Sequence, residues 1–100
     1  MSNRWTPASI PTRNPSAVDR LVDGEAVIVL PEQGTVKVLN RVGSRVWSLI
    51  DGKRCVADIA GIICDEYDVS AEQALQDLLA FLAELEARGV ISPAAIRCKG

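Results

Sequence analysis

The chain contains no histidine. That absence removes the side chain that most often serves as general base, as partner of a nucleophilic serine or cysteine, and as metal ligand. Cysteine is scarce as well: Cys55, Cys64 and Cys98 are odd in number and far apart in sequence, which excludes a disulfide framework and a structural zinc site. Each reads as a small buried or incidental thiol, with Cys98, between Arg97 and Lys99, reactive at most. There is no Gly-rich phosphate loop and no G-x-S-x-G elbow. The adjacent acids Asp65 and Glu66 read as solvated charge at a helix end. Aromatic residues make up only 4% of the sequence, so the core is aliphatic. Neither sign of charge dominates: a net charge of −2 and a pI near 5.0 argue against a general nucleic-acid binder, which needs clustered Lys and Arg to neutralise phosphates. No apolar run approaches the roughly 20 residues of a membrane span, and Met1 to Pro15 holds no apolar stretch of signal-peptide length. A cytoplasmic protein with no catalytic residues, no metal and no cofactor is expected, a binding module and not an enzyme.

What is present fits one domain of 100 residues. Residues 1–15, with Pro7, Pro11 and Pro15 among Ser, Thr and Asn, read as a flexible tail carrying a loosely held Trp5. Residues 16–92 read as the folded domain and 93–100 as a second tail. Within the domain, Val18 to Val22, the hairpin signal Asp23-Gly24, and Ala26 to Leu30 form two strands. A turn at Pro31 to Gly34 leads to Thr35 to Leu39, whose alternation predicts a half-buried third strand. Asn40 is a good helix N-cap, followed by Val42, Val46, Trp47, Leu49 and Ile50 at helical spacing. Val56, Ile59, Ala60, Ile63 and Tyr67 mark a second helix. Ser70 and Gln73 form a capping box for a third, whose stripe of Leu75, Leu78, Leu79, Leu82 and Leu85 ends at Gly89. The predicted fold class is α+β: a three-stranded antiparallel sheet followed by a three-helix bundle, winged-helix-like in order.

The ordered set Val38-Leu39-Asn40, Gly43, Trp47, Leu49-Ile50-Asp51-Gly52, Ile59-Ala60, Tyr67, Asp77-Leu78, Phe81-Leu82, Leu85 and Gly89-Val90-Ile91 resembles the coenzyme PQQ synthesis protein D (PqqD) family over about residues 17–92. Cys55 stands where that family tends to place Thr or Ser, and a thiol is a weaker cap. The resemblance implies a peptide chaperone of ribosomal natural-product biosynthesis, of which PQQ assembly is one case. Such a module holds the leader of a precursor peptide and presents it to a modifying enzyme, often a radical-SAM protein. It also implies that the leader adds as a strand beside the third strand and lies against the third helix. The physics of an edge strand suits this, because its free N–H and C=O groups pair with a peptide backbone. On that basis Thr35, Val36, Lys37, Val38 and Leu39 would form the edge, and Leu78, Leu79, Leu82 and Ala83 the apolar wall. Arg41 and Arg45, within a local excess of +3 over Arg41 to Arg54, would steer an acidic leader.

Two other classes stay open at the level of sequence. A self-associating or protein-interaction domain would use the same edge and leucine stripe to form a homodimer. A winged-helix DNA-binding protein would use the third helix, but Ala71 to Arg88 carries a net charge of −3, which repels phosphate.

Overall fold

A computed structural model describes residues 5–94. Three strands, β2 (Val18–Val22), β3 (Glu25–Leu30) and β4 (Thr35–Val38), form an antiparallel sheet in the order β2-β3-β4. The first hairpin closes in two residues, with Val22 opposite Glu25. Asp23 and Gly24 both take positive φ, 52° and 82°, the backbone that matches the right-handed twist of paired strands. The second hairpin places Leu30 opposite Thr35. Along β3 the side chains alternate: Ala26, Ile28 and Leu30 are buried, while Val27 and Val29 are half-exposed on the other face.

Three helices cover the buried face: α1 (Arg41–Leu49), α2 (Val56–Tyr67) and α3 (Ala71–Ala87). The fold is therefore α+β, with the sheet first and the helices after it. The core gathers Ile28 and Leu30 from the sheet, Val46, Trp47 and Ile50 from α1 and its end, Val56, Ile59 and Ile63 from α2, and Leu78, Leu82 and Leu85 from α3. Asn40 turns the chain from β4 into α1, its Oδ1 accepting the Gly43 N–H at 2.7 Å. Asn40→Ala should cost about 1 kcal/mol of stability, read as a lower urea midpoint at unchanged slope; an unchanged midpoint would mean that the helix start is held by other contacts. Ser70 caps α3 by accepting the Gln73 N–H at 3.1 Å. The Gln73 side chain does not return to complete the expected box. It donates to Asp77 Oδ1 at 2.8 Å instead, the i to i+4 neighbour on the helix surface.

The amino-terminal segment departs most from expectation. Residues 5–15 are not a loose tail: Trp5 is 2% exposed and belongs to the core, with its indole N–H donating to Glu86 Oε1 at 3.1 Å. A strand β1 (Pro11–Arg13) pairs antiparallel with β5 (Ile91–Pro93), making a second, two-stranded sheet. Prolines are tolerated there because each strand has only one paired neighbour. The same segment reinforces the weak cap at Cys55, whose own N–H donates to Asp58 Oδ2 at 3.4 Å. The Val56 N–H donates to the Ser9 carbonyl at 2.8 Å and the Ala57 N–H to the Pro7 carbonyl at 3.0 Å, so two orphan donors of α2 are satisfied from outside. The second tail is likewise shorter than expected, since Pro93 lies opposite Pro11 and the Ala94 N–H donates to the Ile10 carbonyl at 2.8 Å. Cys98 and its neighbours Arg97 and Lys99 lie outside the described residues. Among the described residues no helix is long and apolar enough to cross a membrane.

Candidate functional site

Strand β4 is one edge of its sheet, and hydrogen-bond parity decides which of its groups are free. The Leu39 N–H donates to the Ala26 carbonyl at 2.8 Å, which makes that opposed pair a bonded one. Bonded and non-bonded pairs alternate along an antiparallel ladder. Lys37 and Thr35 therefore exchange hydrogen bonds with Ile28 and Leu30, their partners in register, while the N–H and C=O of Val36 and Val38 point away from the sheet. Ser44, buried on α1, pins this end of the ladder: its Oγ accepts the Ala26 N–H at 2.7 Å and donates to the Leu39 carbonyl at 3.2 Å.

Beside this edge runs a groove of about 420 Å³ between β4 and the three helices. Its wall on α3 is the stripe Ala74, Asp77, Leu78, Phe81 and Glu84, residues three and four apart and hence on one side of the helix. Val42, Gly43 and Val46 of α1 supply the opposite wall, and Ile63, Tyr67 and Val69 close the end. Gly43 has a steric reason to be glycine. A Cβ there would lie 3.2 Å from both Cζ of the Phe81 ring and Asn40 Oδ1, so the ring and the capping side chain would have to give by a few tenths of an ångström.

The groove is apolar at its centre and charged at its margin. Lys37, from the strand, forms an ion pair with Glu84 of α3 across it. The ammonium hydrogen bond holds the Glu84 carboxyl below the ordinary carboxylate range, with a smaller contribution from the charge itself.

The residues singled out from sequence separate in the structure. Lys37, Val38, Leu39 and Leu78 line the groove. Val36 and Val38 are 59% and 58% exposed, and Thr35 is half-buried at the start of the strand. Leu82 is fully buried in the core, while Leu79 and Ala83 are partly buried against it; none of the three lines the groove. Arg41 is exposed outside it. Arg45 makes a two-pronged pair with Glu66 of α2, at 2.8 and 2.7 Å, and Arg54 pairs with Asp51 at 2.8 Å. Of the local excess of +3, which already counts Asp51, the Glu66 pair offsets one charge, and neither Arg41 nor Arg45 lines the groove. Phe81, Asp77 and Glu84 were missed as lining residues because the leucine stripe drew the wall one step around the helix. Their positions three, seven and ten residues after Ala74, on one side of the helix, were the signal available.

The sequence model described as coenzyme PQQ synthesis protein D (PqqD) matches residues 25–91. No curated protein matches the chain. Among solved structures, TbiB1 in complex with the TbiA(beta) leader peptide is 30% identical, with a TM-score of 0.78 over 85% of this chain and 99% of TbiB1. A lasso peptide synthetase B1 complexed with its leader peptide is 21% identical, with a TM-score of 0.77 over 84% of this chain and 99% of the other. The PqqD truncation of Methylobacterium extorquens PqqCD, described as a functional, stand-alone recognition element for ribosomally synthesised and post-translationally modified peptides, is 24% identical, with a TM-score of 0.76 over 90% and 96% of the two chains. The last two likenesses are of fold alone.

Proposed function

We propose that this chain, which belongs to the coenzyme PQQ synthesis protein D (PqqD) family, captures the leader segment of a ribosomally made precursor peptide and presents it to a modifying enzyme. The observation that carries the reading is the outward pair of backbone groups on Val36 and Val38 beside an open apolar groove. A leader strand satisfies that edge with its own N–H and C=O groups and directs alternate side chains into the groove. The contact residues are then Val36, Lys37 and Val38 from β4, with Leu78 and Phe81 from α3, while Leu82 acts as core. The protein works by binding and positioning, in the cytoplasm, and the chemistry belongs to its partner, for which a radical-SAM enzyme is one candidate class. Capture by strand addition at one edge leaves β2 as the other edge of the same sheet.

Calorimetric and NMR titration with the leader of whatever short precursor peptide is encoded beside this gene tests the proposal. Binding near micromolar, about −8 kcal/mol, is expected, with shifts at residues 35–39 and along residues 74–84 of α3. Absence of binding to every such peptide, together with a dimer by light scattering, would transfer the edge to self-association.

A further inference from the structure

The charge on the groove margin is unbalanced. Three ionisable side chains of fixed sign line it, Lys37, Asp77 and Glu84. Lys37 and Glu84 pair with one another, and Arg88 adds a second, longer contact to Glu84 at 3.8 Å. Asp77 receives a hydrogen bond only from the neutral Gln73 amide, and among the described residues no Lys or Arg reaches its carboxylate. The basic side chains nearest in sequence to the groove, on α1, do not compensate: Arg45 is committed to Glu66 and Arg41 does not line the groove. An incoming strand therefore meets an apolar floor bounded on the α3 side by one uncompensated negative charge.

We propose that the leader recognised by this protein carries a lysine or arginine that pairs with Asp77, set about two residues from the apolar side chain that enters the groove beside Leu78 and Phe81. This rests on the strand-addition reading above and specifies the class of peptide. The spacing follows from geometry. Alternate residues of a strand project to the same side, about 6.7 Å apart, and Asp77 and Phe81 lie one helical turn apart on α3, about 6 Å along its axis. A strand laid along α3 thus sets one side chain over the ring and the next on that side over the carboxylate. Partial desolvation against the apolar lining makes the pair stronger than one in open water. A leader with Glu at that position is opposed by the same charge, so Asp77 discriminates as well as attracts.

The test uses fluorescein-labelled 12-residue peptides tiling the leader of whatever short precursor peptide is encoded beside this gene, each basic residue also replaced by Gln and by Glu. They are titrated against the full chain and its Asp77→Asn and Asp77→Lys variants. Asp77 is exposed on the helix surface, so the variants should keep the fold, which circular dichroism checks. In the tightest peptide, one Lys or Arg two residues from an apolar residue should be sensitive. Its replacement by Gln, and Asp77→Asn, should each weaken binding roughly three- to tenfold at low salt. The two changes together should do little more than one, and Asp77→Lys should be rescued by the Glu peptide. A peptide that binds equally to wild type and Asp77→Asn would overturn the charge proposal and leave strand addition standing. No binding by any peptide to the wild-type chain would overturn both.

Discussion

Val36→Pro is expected to weaken leader binding by roughly ten- to a hundredfold while leaving the domain folded. Proline removes the one N–H that Val36 offers to an incoming strand, and its ring crowds the space the peptide backbone must enter. The loss also strands a carbonyl of the bound peptide without a partner, which costs more than an ordinary exchanged hydrogen bond. The fold should tolerate the change, since the Val36 N–H points away from β3, and an edge strand accepts proline where its N–H faces solvent. Lys37→Pro is the discriminating control. By the same parity, the Lys37 N–H belongs to the β3–β4 ladder, opposite Ile28, and its loss should lower stability as well as binding. Affinity by calorimetry and melting temperature, measured on both variants, separate the two effects. If Val36→Pro bound leader with unchanged affinity, the peptide would not be adding to β4, and the groove alone would have to account for recognition.

The parts of this fold that local chemistry dictates were legible in the sequence. Asp23-Gly24 admits the backbone of a two-residue hairpin, Asn40 and Ser70 cap helices with their own side chains, and Gly89, at φ 80°, ends α3. The alternation in Thr35 to Leu39 identified a third strand, and its place at the edge came with the family resemblance. The groove was half legible. An unbroken leucine stripe on α3 serves two packing faces, and spacing alone does not say which residues turn to the core. Leu82 and Leu85 pack inward, so the open face falls to Ala74, Asp77, Leu78, Phe81 and Glu84, two of them acids that a search for apolar walls passes over. The basic excess over Arg41 to Arg54 shows a related limit: sequence counts charges within a segment, whereas Glu66, from another helix, offsets Arg45 only once the chain has folded. The amino-terminal segment was not legible at all. Its prolines exclude long ladders, and nothing in composition distinguishes a three-residue strand, or carbonyls that cap a helix more than 40 residues away, from a tail.

That segment carries the second large expectation, on stability. Trp5→Ala should destabilise the domain by about 3–5 kcal/mol, a large part of the roughly 5–15 kcal/mol that domains typically possess. The indole is 2% exposed within the same core as Trp47, Ile59 and Leu82, so its removal opens a cavity and also breaks the bond to Glu86. Trp5→Phe keeps an aromatic ring without the indole N–H and should lose less. Deleting residues 1–15 should do more than either. It removes Trp5, strand β1, and the Pro7 and Ser9 carbonyls that receive the Ala57 and Val56 N–H groups, and a thiol at Cys55 is a weak cap to leave in their place. Guanidinium unfolding followed by Trp47 fluorescence measures all three. A truncated chain with the midpoint of the full one would mean that the segment is only laid on a finished core. A shifted midpoint for Trp5→Ala and a lost cooperative transition for the truncation would make residues 5–15 part of the folding unit. The α1 and α2 walls of the groove would then depend on a segment that supplies none of its lining residues.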